Sequence, residues 1–235
     1  ALVGDNVVDQ SANMTWYDGP TLLEHLETVP IGLDPRDQPF RLPVQYVNRP
    51  RTAEHPDYRG FSARIASGVI RVGDEIVVNP LGRKSTVTGI DVLGTASQVA
   101  FAPQSITLAL SDEIDIVRGD VISSTVGSPL STREVTATVC VLADSPIEKG
   151  QRLLARFGPK TVRVIVADIV DRLDLNSLEH ESHSGSLELN DVGTLVLRLA
   201  DDVVVDNYDD LRTTSAFILV DDHDGSTLAG GMTRC

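Results

Sequence analysis

The sequence predicts an all-β protein made of two closed antiparallel β-barrels with a short N-terminal helical extension. Valine, isoleucine and leucine recur at every second position in many short runs, as expected for strands that bury one face. Glycine, asparagine, aspartate and proline separate these runs at intervals of roughly ten to thirty residues, a spacing that suits antiparallel barrels or sandwiches. A break in the pattern at residues 125–132 divides the runs into two sets.

The extension covers residues 1–30 and contains the one segment with helical periodicity. Thr21 and Glu24 are spaced as a capping box ahead of Leu22, Leu23 and Leu26, which predicts a helix of about two turns. Trp16 and Tyr17 precede this helix. Their simplest interpretation is a packing anchor for the extension, whereas an exposed aromatic pair would mark a partner surface.

The first barrel is assigned to residues 31–126. Its opening segment, residues 31–39, has the glycine, proline and charged residues of a linker. The first strand run then places Phe40, Leu42, Val44 and Tyr46 on one face, and the intervening Arg41 and Gln45 point outward. A later run alternates in the same way; its apolar residues are Ile106, Leu108 and Leu110. Arg118, Gly119 and Asp120 are interpreted as a turn rather than a cell-adhesion signal.

The second barrel is assigned to residues 127–235, starting at a Gly-Ser-Pro interruption. Four strand runs follow, each with one apolar face. The predicted inward residues are Val135, Ala137, Val139 and Val141, then Val162, Val164 and Val166, then Leu195, Leu197 and Leu199, and finally Ala216, Ile218 and Val220.

Composition narrows the class of protein. With 34 acidic and 20 basic residues among 235, the net charge is -14, which makes a nucleic-acid partner unfavourable. The longest apolar stretches are about five residues, far short of the roughly 20 that cross a bilayer, so no membrane partner is expected. Two cysteines make neither a disulfide framework nor a metal cluster, as in a protein of a reducing compartment.

Three local patterns are weighed as sites and interpreted as turns or loops. Residues 82–85 contain a Gly and a Lys, but not in the spacing of a phosphate-binding loop. His180 and His183 are three residues apart, as metal ligands on a helix can be, yet they lie in a segment typical of a surface loop. Residues 221–225 lack the closing glutamate of a calcium loop and suit a hairpin turn. No catalytic, cofactor-binding or metal-binding residue is therefore assigned in this chain.

Longer strings resemble the large, GTP-hydrolysing subunit of bacterial sulfate adenylyltransferase. These strings are WYDGPTLLEHLE at residues 16–27, FRLPVQYVNRP at 40–50, YRGF at 58–61, IASGVIRVGD at 65–74, DEIDI at 112–116, RGDV at 118–121, TSAFILV at 214–220 and GGM at 230–232. They extend over essentially the whole chain. The resemblance implies barrels of the translation-factor type, as in proteins related to elongation factor Tu.

The resemblance also implies which parts of the family this chain contains. Residues 1–6 resemble the tail of the family's GTPase domain, so GTP and its Mg²⁺ would bind upstream in the parent protein. The family is cytoplasmic, and its large subunit works with a catalytic small subunit that makes adenylyl sulfate and diphosphate from ATP and sulfate. Some members are fused to an adenylylsulfate kinase, of which no motif is present here. The expected partners of this chain are therefore the small subunit and its own GTPase domain.

A surface that the missing GTPase domain or the catalytic subunit would cover is predicted near the end of the first strand run. Arginine and tyrosine on a rigid loop at residues 47–50 are the residue types that dominate interfaces. The predicted contact residues are Gln45, Tyr46, Asn48, Arg49, Arg59 and Phe61. The alternative is that Tyr46 closes the barrel end while Arg49 pairs with a nearby aspartate.

Two other functions remain open from the sequence. A translation-factor-like barrel module could bind aminoacyl-tRNA, because the barrel fold allows it. The charge of -14 and the VQYVNRP string argue against that function. A stand-alone structural module is the other alternative, and it requires the extension to be a true terminus.

Overall fold

The computed structural model describes residues 3–29, 34–50, 58–182 and 185–234. Its helices are α1 (Leu22–Thr28) and α2 (Arg212–Ser215). The strands before residue 125 are β1 (Arg41–Pro43), β2 (Tyr46–Asn48), β3 (Gly60–Arg64), β4 (Val69–Arg71), β5 (Glu75–Asn79), β6 (Arg83–Val92), β7 (Thr95–Ser97), β8 (Val99–Phe101), β9 (Ser105–Leu110) and β10 (Val121–Ser124). The later strands are β11 (Leu130–Val141), β12 (Arg152–Phe157), β13 (Lys160–Leu173), β14 (His180–Ser182), β15 (Val192–Val205), β16 (Ala216–Val220) and β17 (Thr227–Arg234). Within these ranges, neither helix has the length and apolar character to cross a membrane.

The chain divides after Asp34 into two compact units, Ala1–Asp34 and Pro35–Cys235. The larger unit contains both main sheets. The first of these ends with β10 at Ser124, and the second begins with β11 at Leu130. This change of sheet falls inside the break predicted at residues 125–132. The division into residues 1–30, 31–126 and 127–235 stays a prediction, because compactness separates only the N-terminal unit.

The helix of the N-terminal unit forms where the sequence predicts it. The Thr21 hydroxyl accepts a hydrogen bond from the Glu24 amide at 3.2 Å, which satisfies one of the free N–H groups of the first turn. The Leu22 amide, also in the first turn, donates to the carbonyl of Asn6 at 2.9 Å. A preceding loop therefore holds the start of α1 in place.

The aromatic pair of the N-terminal unit is exposed rather than packed. Trp16 is 75% exposed and meets Tyr17 edge-on, with 6.0 Å between ring centroids. None of the α1 residues is buried either. The interpretation of Trp16 as a packing anchor is therefore wrong, and the alternative of an exposed aromatic pair describes the structure.

The second main sheet closes into a six-stranded barrel. The ring runs β12-β16-β17-β11-β15-β13, and β13 pairs back with β12. All of these ladders are antiparallel, and β14 extends the sheet from β13. The predicted inward faces of β11, β13 and β15 are confirmed, since each of their predicted residues is buried in the barrel core. Alternation along a strand thus places these side chains correctly.

The predicted inward face of β16 is wrong. Its predicted members are Ala216, Ile218 and Val220. Phe217 and Leu219 are buried instead, at 4% and 0% exposure, whereas Ala216 is exposed and Ile218 is half-buried. Phe217 stacks on Phe157 of the neighbouring strand with 4.7 Å between ring centroids. A register shift between Leu219 and Val220 buries Val220 as well, so five consecutive apolar residues do not reveal their own inward face.

The first main sheet is a curled half-barrel. Its strand order is β1-β10-β5-β6-β9-β3-β2, with β7 attached to β6 and a separate β4–β8 pair nearby. Phe40, Leu42 and Val44 lie in its core as predicted, with Ile106 and Leu108 of β9. The all-β fold class and the barrel architecture are thus confirmed, while the ladder of the first sheet does not close.

Two local features keep the half-barrel open between β1 and β2. Pro43 ends β1 and has no N–H to continue a ladder. Tyr46 then starts a new strand, so the predicted continuous alternation through Tyr46 fails, and this ring is 63% exposed. The gap is spanned by an isolated bridge between Arg41 and Ser67, in which the Arg41 amide donates to the Ser67 carbonyl at 3.0 Å.

A buried ion pair joins the two sheets. Arg41 was expected to face outward; it does leave the first core, but the second barrel covers it and only 2% of it is exposed. Its Nη2 lies 2.8 Å from Asp206 Oδ1, and its Nη1 donates to the Phe40 carbonyl at 3.0 Å. Thr214 donates to the same aspartate at 2.6 Å. The charged groups are thus satisfied within the junction, which favours a fixed arrangement of the two sheets.

Candidate partner-binding surface

Most of the predicted contact residues lie on an edge of the first sheet. β2 pairs only with β3 and ends the strand order, so its other edge is free of ladder partners among the described residues. Gln45 and Arg49 flank this strand and are exposed, while Asn48 is half-buried. Tyr46 and Asn48 belong to β2, so the predicted loop at residues 47–50 is in part a strand. An edge strand with exposed polar and aromatic residues can accept a partner.

Tyr46 stands between two grooves. One, of about 660 Å³, is lined by Tyr46 together with Pro43, Leu93 and Ile106. The other, of about 510 Å³, contains Arg49, Arg59, Asp115 and Arg118 and shares Tyr46. The first groove is also lined by Arg64 and Asp91, so both grooves combine apolar and charged side chains, and the second presents three arginines.

Arg59 is placed by a ring and a carboxylate. Its guanidinium carbon lies 5.6 Å from the centroid of the Phe61 ring, and Nη2 donates to Asp115 Oδ1 at 3.1 Å. The Arg59 Nε is buried and has no hydrogen-bond partner in the described part of the chain. Phe61 is only 1% exposed, so its prediction as a contact residue needs correction. Its ring packs in the core, and the guanidinium group of Arg59 lies over this ring.

The turn that contains Arg118 forms one wall of the groove that also contains Arg49 and Arg59. Arg118 Nη1 donates to the Gln45 carbonyl at 3.1 Å, which ties the turn to the start of β2. The Val117 amide donates to Asp120 Oδ2 at 2.9 Å, as expected for an aspartate that stabilises its own turn. Burial raises the pKa of the Asp120 carboxyl. The turn interpretation of this tripeptide is therefore confirmed.

Sequence reasoning missed Leu93, Asp115 and Arg118 as parts of this surface. Leu93 is 91% exposed at the tip of the β6–β7 hairpin, with a positive φ of 52°. A bulky apolar residue followed by Gly94 in a hairpin turn is the signal that could have identified it. No local pattern could have identified Arg118 and Asp115, because they are far from β2 in the sequence and come close to it only in the folded structure.

The side chains of this surface are suited to recognition. Edge backbone, a tyrosine and several arginines can hold carboxylates, amides and apolar groups. Across the ranges that the structure describes, no group of three or more His, Cys, Asp or Glu side chains is placed to hold a metal ion. His180 belongs to β14 rather than to a loop, where its Nδ1 lies 2.9 Å from Asp171 Oδ1, and His183 lies outside the described residues.

The two rejected turn-like motifs form turns. Residues 80–82 connect β5 to β6, as a hairpin connection rather than a phosphate loop. In the turn at residues 221–225, the Gly225 amide donates to the Asp221 carbonyl at 3.2 Å, and the His223 amide donates to Asp221 Oδ1 at 2.7 Å. The Asp221 carboxylate and carbonyl therefore accept hydrogen bonds from the backbone of their own turn.

The fold is that of the β-barrel domains of translation factors. Residues 134–234 match the family described as GTP-eEF1A C-terminal domain-like. Crystal structures of Sup35 complexed with GMPPNP and with GDP share the fold, with TM-scores of 0.74 and 0.76. Both are 20% identical to this chain and match 99% of it and 56% of the Sup35 chain.

Relatives with higher sequence identity to this chain indicate a more specific family. The bifunctional enzyme CysN/CysC of Mycobacterium tuberculosis is 42% identical over 99% of this chain and 38% of its own length. Sulfate adenylyltransferase subunit 1 of Cellvibrio japonicus is 41% identical over 99% of this chain, and that of Laribacter hongkongensis is 40% identical over all of it; each is matched over 48% of its length. The chain thus spans less than half the length of these relatives. Its resemblance to the large subunit of bacterial sulfate adenylyltransferase is confirmed.

Proposed function

We propose that this chain is the barrel portion of the GTP-hydrolysing regulatory subunit of a sulfate adenylyltransferase. In this proposal the chain binds the GTPase domain of its own subunit and the catalytic small subunit. GTP and Mg²⁺ are held by the GTPase domain, and the small subunit makes adenylyl sulfate from ATP and sulfate in the cytoplasm. The similarity over 99% of the chain to a 42% identical relative supports this assignment.

The N-terminal helix supports contact with a GTPase domain. Leu22, Leu23 and Leu26 are 51%, 42% and 62% exposed, and none of the seven α1 residues is buried. A helix of this length is marginal in water and is normally stabilised by packing of its apolar face. An apolar face on α1 therefore needs a cover, and the preceding domain of the same subunit is the partner proposed for it.

The observation that carries the partner-binding function is Tyr46, which is 63% exposed on an edge strand and lies between two grooves, one of which presents three arginines. Tyrosine and arginine are enriched among the residues that dominate binding energy. Arg49 is exposed beside this ring and has no ion pair among the described residues, so the alternative pairing with a nearby aspartate has no support. We infer that Gln45, Tyr46, Asn48 and Arg49, supported by Arg59, contact the small subunit.

The test is Arg49→Ala in the full-length subunit, mixed with the small subunit. Loss of an interface arginine is expected to weaken association by about 1–3 kcal/mol, or roughly 5- to 150-fold in Kd. Isothermal titration calorimetry measures this change, and the melting temperature of the barrels should stay nearly the same because Arg49 is exposed.

Lys84→Ala is the matched control. Lys84 is also an exposed cation of the first sheet, but it pairs with Glu75 at 3.1 Å on the β5–β6 hairpin. Its removal should leave association unchanged. If Arg49→Ala lowers the stability of the barrels while association stays intact, the residue is structural and the interface lies elsewhere.

A further inference from the structure

Arginines lie close together on the outer face of the second barrel, away from the surface described above. Arg152 on β12 is directly opposite Ile165 on β13, and Ile165 is opposite Arg198 on β15. Arg163 lies two residues before Ile165 on the same strand, so it shares this face. Neighbouring strands are about 4.8 Å apart, which places the three-strand row across about 10 Å.

These arginines line a groove of about 480 Å³, which we call the arginine groove. Ile165 lies between the cations and is 42% exposed, so the row reads cation, apolar residue, cation. Leu153, Val164 and Leu199 also line the groove; their side chains point into the barrel core, so their backbone forms its floor. The groove can therefore bind both charge and an apolar side chain.

The charge of the arginine groove is only partly neutralised. Arg198 Nε donates to Glu134 at 3.1 Å, and Asp222 also lines the groove. Neither Arg152 nor Arg163 has an ion pair or side-chain hydrogen bond within the described ranges. Two free guanidinium groups beside an exposed isoleucine are unusual in a chain with a net charge of -14, where carboxylates greatly outnumber cations. Their planar forks suit carboxylates in particular.

We propose that the arginine groove binds an extended acidic segment of a partner protein, with an apolar side chain between two carboxylates. The carboxylates pair with Arg152 and Arg163 or Arg198, and the apolar side chain covers Ile165. A nucleic acid is a poorer occupant, because its continuous phosphate backbone is repelled by the rest of this acidic protein. A short segment contacts only the groove, where three arginines outnumber the two carboxylates of Glu134 and Asp222.

The probe is a fluorescein-labelled peptide in which glutamate, leucine and glutamate alternate with glycine, so that all three side chains share one face when extended. Fluorescence anisotropy with the 235-residue chain should show saturable binding that weakens as salt is added. The double variant Arg152→Gln, Arg163→Gln should raise Kd by about ten-fold, because it removes two charge-assisted contacts.

The matched control is Arg71→Gln, Arg83→Gln, which removes one exposed arginine from β4 and one from β6, away from the second barrel. It makes the same change in net charge and should change Kd less than about two-fold. NMR chemical-shift changes on the unmodified protein provide a readout that does not depend on any variant. They should centre on residues 152–154 and 163–165.

Several outcomes would overturn the proposal. These are no saturable peptide binding, equal weakening in both double variants, shift changes centred elsewhere, or tighter binding of a short oligothymidylate than of the acidic peptide. The last result would assign the groove to nucleic acid. A peptide with lysine in place of glutamate should not bind, and its binding would show that the contact is apolar alone.

Discussion

At the scale of single residues, Arg41 shows how one side chain links the two sheets. It leaves the core of the half-barrel at β1 and enters the junction with the second barrel, where Asp206 and Thr214 complete its surroundings. Both partners of the ion pair are largely shielded from water, with side-chain exposures of 3% and 12%. Removing one partner therefore leaves an uncompensated charge in a poorly solvated site.

Arg41→Met tests this role. The substitution keeps the volume of the side chain but leaves the Asp206 carboxylate without its cation, so unfolding should become easier by about 3–5 kcal/mol. Urea unfolding followed by circular dichroism measures the change. Arg133→Met is the control, because Arg133 pairs with Asp202 at the surface with side-chain exposures of 64% and 41%. The control should cost less than about 1 kcal/mol, and a similar small cost for Arg41→Met would contradict the linking role.

The sequence predicted the direction of Arg41 but not its surroundings. Alternation with Phe40 and Leu42 correctly sends this side chain away from the first core. Burial against Asp206 depends on a contact across 165 positions in the chain, which no local pattern reveals. Phe61 is the reverse case: it is among the predicted contact residues, whereas the half-barrel buries its ring.

At the scale of elements, the turn before β4 holds the start of β1 in place. Gly68 has a φ of +80°, and a Cβ there would lie 2.5 Å from the Phe40 Cα. Its amide donates to the Pro35 carbonyl at 2.6 Å. The backbone at Gly68 therefore packs directly on the backbone at Phe40, at the point where irregular contacts close the open half-barrel.

Gly68→Ala should destabilise the protein by about 2–5 kcal/mol, because left-handed backbone strain and a clash with rigid backbone add together. Gly73→Ala is the control: its φ is +94°, but nothing lies within 4 Å of the added Cβ. The control should lose only about 1–2 kcal/mol. Thermal unfolding of both variants gives the comparison, and equal losses would show that close approach to Phe40 has no role.

Sequence patterns predicted the individual helices and strands better than they predicted the pairing and packing between strands. Helix α1 with its Thr21 cap, and the inward faces of β11, β13 and β15, follow from local periodicity. In β16 every residue is apolar, so burial is decided by packing against Phe157 rather than by the pattern. The prediction that the first barrel closes is wrong at Pro43, which has no N–H to donate to a neighbouring strand. The sequence shows this proline but does not show which strand would lie beside it.

At the scale of the whole molecule, we propose that the chain presents separate surfaces to two partners. The Tyr46 edge and the exposed face of α1 are proposed for the small subunit and the GTPase domain. Tyr46 and Arg49 could be selected from the sequence, since aromatic and arginine residues at a strand end are unusual in solvated loops. The second groove wall at Arg118 required the fold, because a turn 73 positions away supplies it.

The most direct test of this account is a titration of the 235-residue chain with fluorescently labelled GTP in the presence of Mg²⁺, beside the full-length subunit. The chain contains no phosphate-binding loop in its sequence, so we expect no saturable binding at micromolar GTP, while the full-length subunit binds. Saturable micromolar binding by the chain alone would contradict its assignment as the barrel portion that binds partners.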